Sequence, residues 1–249
     1  NALIESDYNS EAVDFSQGPN LVAHRNGTLV ASEAVARVLN LADIKSPYLT
    51  GRLDPFLDGR LMPVIQTNRG CPFTCAFCTE GQGFWSKVKK KGRDLIGSEI
   101  RYIADAFSRL PKSEQRGDLL IADSNFGMFK EDLDTCDVIN EVQQSHQYPS
   151  YINVATGKNK KDQVLEAARR VNGAMKLAGS VQSLDPQVQE NMKRSNISAD
   201  EIVSLALQAE KIGTNTYSEV ILALPGDTQE KHFNTLRTLV EADFSTISM

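Results

Sequence analysis

From Leu61 to the end of the chain, short apolar runs alternate with longer amphipathic ones, and this rhythm limits the available folds more than any other feature. "LMPVIQTN" is followed at a distance by "DLIGSEIRYIADAFSRL", whose apolar residues recur at three- and four-residue intervals until Pro111 stops them. "DLLIADS" precedes "KEDLDTCDVINEVQQS", "SYINVAT" precedes "KKDQVLEAARRVN", and "AMKLAGSVQS" precedes "DPQVQENMKR" and "ADEIVSLALQAEKIG". "SEVILAL" precedes "DTQEKHFNTLRTLVEA", and "FSTISM" opens a sixth strand. Strands alternating with helices predict βα units and a parallel sheet, with right-handed crossovers that bring the strand C-termini to one side. Six such units are too few for a closed eight-stranded barrel. The expected fold class is therefore α/β, a partial (βα)6 TIM-like barrel over residues 61–249, truncated at its sixth strand. Chemistry in such folds gathers at the C-terminal ends of the strands. That selects the loop after the first strand and the segments "DSNFGM", "TGKN", "QSLD" and "LPGDT".

The first sixty residues read differently. In "LVAHRNGTLVAS", Asn26-Gly27 between two apolar runs is a hairpin signal, because both residues tolerate the positive φ of a type I′ turn. "SEAVARVLNL" reads as a short helix with Ser32 as N-cap. "DIKSPYLTGRLDPFLDGRLMP" then supplies three prolines and two glycines, which is linker chemistry, and places a boundary near Gly59. Residues 1–60 are expected to be an N-terminal linker region, the tail of an upstream domain. The chain starts at Asn1 and stops within a strand, so the native protein is expected to continue at both ends.

Four cysteines in a chain with no secretory leader pattern read as metal-binding or free thiols rather than disulfides, and a cytoplasmic location is the expectation. No run reaches the roughly 18 apolar residues of a membrane span. A formal net charge of −5 gives no polyanion-binding signature, so no nucleic-acid partner is expected. The basic cluster Lys87, Lys89, Lys90, Lys91 and Arg93 reads as a solvated approach to a helix, with phosphate contact as the alternative. Cys136, on an apolar helix face, reads as a small buried residue.

The other three cysteines lie together in "RGCPFTCAFC", at 71, 75 and 78. A tetrahedral zinc site or an ordinary iron–sulfur cluster asks for four protein ligands, so this set is incomplete. Three thiolates can hold three irons of a [4Fe–4S] cube and leave the fourth open. A Cys3His zinc site needs a histidine, and His24, His146 and His232 all lie away from the loop. A non-catalytic iron–sulfur or zinc module stands as the alternative from a different class.

"CPFTCAFC", following the first strand of this βα pattern, resembles the CxxxCxΦC motif of the radical S-adenosylmethionine (SAM) superfamily, with Phe77 at the aromatic position. The resemblance implies that Cys71, Cys75 and Cys78 each bind one iron and that the amino and carboxylate groups of SAM chelate the fourth. One electron from the cluster then cleaves SAM to methionine and a 5′-deoxyadenosyl radical. The superfamily's GGE-type motif after the second strand is absent here. Ser124 and Asn125 of "ADSNFGM" stand at that place as candidate contacts to the SAM amino group, with a plain turn as the alternative. By the same resemblance Gln182 and Ser183 meet the ribose, Arg194 of "NMKRSN" meets the carboxylate, and "LALPGDT" packs on adenine unless Pro225-Gly226 is only a turn with Asp227 as N-cap. Lys158 is a candidate further contact to SAM or substrate.

"LADIKSPYLTGRLDPFLDGRLMPVIQTNRGCPF" resembles the junction that joins a cobalamin-binding domain to the barrel in the cobalamin subgroup. This implies methylation or rearrangement at an unactivated C–H bond of a small-molecule or peptide substrate. It also implies a flavodoxin- or ferredoxin-type one-electron donor, and cobalamin held by a domain before Asn1. The alternative is a radical SAM enzyme without cobalamin, of the methylthiotransferase or mutase kind.

Overall fold

The computed structural model describes residues 21–33, 40–194 and 198–249. The chain divides into two compact units, Asn1–Leu39 and Asn40–Met249. In the first, β1 (Val22–Arg25) and β2 (Thr28–Ala31) pair antiparallel around Asn26 and Gly27, with φ of 47° and 80°. This is the left-handed pair that a type I′ turn requires. Ser32 does not cap a helix in the described residues: its hydroxyl accepts from Leu21 N at 2.8 Å and its own N–H donates to Leu21 O, closing the hairpin. The helix expected over "SEAVARVLNL" falls largely on residues 34–39, outside the described residues.

The stretch expected to be linker, residues 40–60, belongs to the second unit, so the division falls at residue 39 rather than near Gly59. Tyr48 and Leu57 are buried in the main core. The Tyr48 hydroxyl donates to Val64 O at 2.9 Å and accepts from Val64 N at 3.0 Å, satisfying both backbone groups of a residue in a sheet-edge strand.

Beyond it, β3 (Val64–Ile65), β6 (Asp118–Phe126) and β7 (Tyr151–Thr156) are parallel neighbours, and so are β8 (Leu177–Ala178), β9 (Thr216–Glu219) and β10 (Thr246–Ser248). A parallel bridge between Ile152 and Met175 links the two groups in chain order. The helices α1 (Arg93–Ser108), α2 (Lys130–His146), α3 (Lys161–Arg170), α4 (Pro186–Asn191), α5 (Ala199–Ile212) and α6 (Gln229–Glu241) fall between strands, as the periodicity predicts.

Alternate strand residues pack against the helices. Leu119, Ile121 and Ile152 meet Ile100, Ile103, Phe107, Ile139 and Val142 in one core, all at 2% exposure or less. Full burial of each such side chain contributes about 1.5–3 kcal/mol. Cys136 is among them and fully buried, and burial pushes its thiol far up.

Helix starts use local chemistry. Asp185 accepts from Val188 N at 3.0 Å ahead of Pro186, and Ser198 with Glu201 forms a reciprocal capping box. At α6 the cap is Thr228, which accepts from Lys231 N, and Asp227 instead accepts from Thr228 N at 2.9 Å. The strand expected over "SEVILAL" is displaced toward its start. β10 pairs only as far as Glu219, and beyond it Leu222 is 69% exposed and Ala223 turns with φ of 59°. Among the described residues no helix is long and apolar enough to cross a membrane.

Asp132, in the first turn of α2, is 3% exposed and accepts from Phe129 N at 2.9 Å. Burial outweighs that bond and raises its carboxyl to about 6, with the charge of Asp123 adding to the rise. A raised carboxyl contributes stability that is full below its unfolded value near 3.9 and is lost as pH climbs through 6. Asp132→Asn should therefore flatten the decline in unfolding free energy between pH 4 and 7, by on the order of 2 kcal/mol. Urea melts of both proteins at those pH values measure it, and parallel pH profiles would show that Asp132 ionises without penalty.

A cavity at the strand ends gathers the three cysteines

The cysteines sit on a long loop whose base is closed by a short antiparallel pair that the sequence did not announce. β4 (Asn68–Arg69) pairs with β5 (Lys89–Lys90), in the register Asn68 to Lys90 and Arg69 to Lys89. Inside the loop Cys71 N donates to Trp85 O at 3.0 Å, Cys78 N to Cys75 O at 3.1 Å, and Gly81 N to Cys78 O at 2.9 Å. Ala76 N donates to Met192 O at 2.9 Å, which ties the loop to the end of α4. A Cβ on Gly81 would lie 2.1 Å from Cys75 O, so only glycine allows the loop to close here. Gly81→Ala should push Cys75 out of place and lower iron retention several-fold after anaerobic reconstitution. Iron analysis checks this, and an unaltered iron content would mean that the loop can reclose around a methyl group.

The same base explains the basic cluster. Lys90 pairs with Glu131, Lys91 with Glu99 at 2.9 Å, and Arg93 with Glu141 at 3.6 Å, so much of its charge is compensated within the chain.

Three consecutive residues at the end of β6 hold the loop. Asp123, 4% exposed, accepts from Thr67 N at 2.9 Å, Asn68 N at 3.2 Å, Asn68 Nδ2 at 2.9 Å and the Thr67 hydroxyl. Ser124 donates to the carboxylate of Glu80, two residues beyond Cys78. Asn125 Nδ2 donates to Cys71 Sγ at 3.2 Å.

Cys71, Cys75, Cys78, Phe77, Ser124, Asn125, Gln182 and Arg194 all line one cavity of about 170 Å³ at the strand C-termini. Cys71 and Cys75 are buried and Cys78 is exposed. Among the described residues no three His, Cys, Asp or Glu side chains converge as they would around a single ion. The thiols share the wall without meeting at one point. Lys158 also lines the cavity; its Nζ lies 3.4 Å from Cys75 Sγ and 4.9 Å from the Phe73 ring centre. Burial and the neighbouring Arg194 push the Lys158 ammonium down, against the pull of Cys75.

Arg194 is 7% exposed. It donates to Ser180 O, lies 3.8 Å from Cys75 Sγ through Nη1, and stacks 5.6 Å from the Phe77 ring centre. Burial lowers its guanidinium. Gln182 holds φ of 57° in the left-handed region, where non-glycine residues are uncommon, and its Oε1 is buried without a hydrogen-bond partner.

Ser183, expected beside Gln182, does not line the cavity: it is 2% exposed and its hydroxyl accepts from Asp185 N at 3.2 Å. Glu80, Thr156, Ser180, Tyr217 and Glu219 also line the wall and were not singled out from sequence. Their strand-end positions, and for Glu80 its place just past Cys78, are the signals that would have found them.

The donor set suits an iron–sulfur cluster: three thiols line one cavity, two of them face N–H donors, and the cations Lys158 and Arg194 stand beside Cys75.

No family model matches the chain. In sequence it is 29% identical over 242 residues to the cobalamin-dependent radical SAM methyltransferase TokK of Streptomyces tokunonensis, covering 94% of this chain and 34% of that one. It is 28% identical over 238 residues to the 2-(S-pantetheinyl)-carbapenam-3-carboxylate methyltransferase of Streptantibioticus cattleyicolor, covering 92% and 34% respectively. In fold it is similar to the radical SAM methyltransferase TsrM from Kitasatospora setae, with a TM-score of 0.66 at 14% identity over 99% of this chain and 48% of TsrM. It is also similar to the cobalamin-dependent radical enzyme OxsB, at 0.63 and 14% over 95% and 33%. Sequence and fold thus both align this chain with the radical SAM class, whose TIM-barrel-like α/β architecture it shares. More particularly, the likeness is to the cobalamin-dependent subgroup. The chain spans about a third of the length of the curated relatives it matches, 34% for each.

Proposed function

We propose that residues 61–249 are the core of a radical SAM enzyme, a partial (βα)6 barrel in which Cys71, Cys75 and Cys78 hold a [4Fe–4S] cluster. The gathering of these three thiols with Asn125, Gln182 and Arg194 on one cavity wall carries this reading. When bound, the cluster and SAM supply one-electron cleavage of SAM to a 5′-deoxyadenosyl radical. The chain's own residues bind and orient: Arg194 presents a guanidinium for a carboxylate, and Gln182 offers a buried carbonyl oxygen to a hydroxyl donor. The strained backbone at Gln182 persists because bonds on both sides, its N–H to Glu219 O and its carbonyl to Ile221 N, over-determine it. Ser124 and Glu80 together offer a carboxylate and a hydroxyl to an ammonium group.

In the whole protein we assign the reaction to cobalamin-dependent methylation of a small molecule, in keeping with the names of the curated relatives. An external one-electron donor and a cobalamin domain upstream of residues 1–60 go with that assignment, as does a cytoplasmic setting. Anaerobic reconstitution followed by dithionite reduction with SAM tests the core: release of 5′-deoxyadenosine or its methylated relatives is expected. A colourless, iron-free protein would reduce the reading to a fold without its chemistry. Cobalamin binding by the full-length protein separates the methyltransferase from the radical SAM alternative without cobalamin.

A further inference from the structure

We infer that Asn125 and Lys158 set the reduction potential of the cluster, by donating N–H···S hydrogen bonds to Cys71 and Cys75 respectively. The inference rests on the cluster assignment above and adds to it a division of labour among the cavity residues.

The two donors come from successive strand ends, Asn125 from β6 and Lys158 from the turn after β7, and each reaches a different buried thiol, at 3.2 Å and 3.4 Å. Neither is held there by accident of the loop. Asn125 is 3% exposed, and Asp123, two residues earlier, clamps the strand leading into Cys71 through Thr67 and Asn68. Lys158 is steadied over the Phe73 ring, inside the same loop. The third thiol, Cys78, is exposed, and neither donor reaches it.

An N–H directed at a ligating sulfur withdraws charge from it and stabilises the reduced, more negative cluster, so such bonds raise the potential. Cys71, Cys75 and Asn125 are buried, and there the effect is larger than at the surface, because low polarisability leaves the donor less screened. Asn125 and Lys158 are thus positioning residues for the electron rather than only for SAM. Asp123, which touches the loop base and no sulfur, holds the loop's shape.

Redox titration of the full-length, reconstituted protein, followed by the EPR signal of the reduced cluster, tests this without reference to turnover. Asn125→Leu and Lys158→Met should each move the midpoint to more negative values. Lys158→Arg, which keeps charge and N–H donors, should restore most of the shift. Asp123→Asn should lower the amount of cluster without moving the midpoint of what assembles. Should Asn125→Leu hold too little cluster to titrate, Asn125→Asp keeps the shape and removes the N–H, and a negative shift is again expected. Native midpoints in the Asn125 and Lys158 variants at full iron content would overturn the inference. Failure of the unsubstituted protein to assemble any cluster would instead sink the cluster assignment, and is recognised before any substitution is made.

Discussion

Replacing Cys71, Cys75 or Cys78 singly by alanine should leave the protein without a stable cluster, with iron and sulfide falling from a full complement to near zero, while Cys136→Ala keeps both. The first three line one cavity, and a cube anchored at two corners loses a metal–thiolate bond that nothing nearby replaces. The lining of this cavity holds no histidine, and His232, buried on α6, faces Asp227 at 3.7 Å. Cys136 is fully buried in α2 among core residues. Its truncation should cost roughly 1 kcal/mol of stability and no iron. Counting iron and sulfide after anaerobic reconstitution decides between the two kinds of cysteine, and a Cys75→Ala protein retaining a four-iron cluster would refute the ligand set.

Arg194→Met should weaken SAM binding about ten- to hundredfold with cluster content intact, since a lost charge-assisted hydrogen bond costs about 1.5–3 kcal/mol. The guanidinium is placed for such a contact by its bond to Ser180 O and its stacking on Phe77, which keep it on the cavity wall although it is 7% exposed. Arg194→Lys should recover only part of the affinity, because an ammonium keeps the charge but lacks the planar fork. Titrating SAM against the cluster's spectrum measures both. Equal affinities in all three proteins would make Arg194 a strut between β8 and the cysteine loop.

The helices were legible because their signals are local. Apolar residues three and four apart on α1 and α2 face the core wherever the sheet lies, and the capping box at Ser198 and Glu201 closes within one turn. Asn26-Gly27 announced a turn for the same reason: its positive φ values are a property of two residues. Strand ends were read less well. "SEVILAL" is apolar from Val220 on, yet the ladder ends at Glu219, with one further bond from Val220 N to Ser248 O, because pairing is a property of two segments. The "SPY" stretch looked like a linker from its prolines and glycines, but Tyr48 satisfies both backbone groups of Val64, a contact across sixteen residues.

The site divides along the same line. Spacing alone marked Cys71, Cys75 and Cys78 as a set and Cys136 as separate, because ligands on one loop are neighbours in the chain. By itself, then, the sequence determined the grouping of three cysteines on one loop apart from the fourth, and the order of the main strands and helices. Only the tertiary structure decided that Asn125 faces a sulfur, that Ser183 turns away from its neighbour Gln182, and that Glu80 meets Ser124 across forty-four residues. The physical reason is direction. Which way a side chain points at a strand end depends on the φ of the residues there, such as 57° at Gln182, and on which segments the sheet brings alongside.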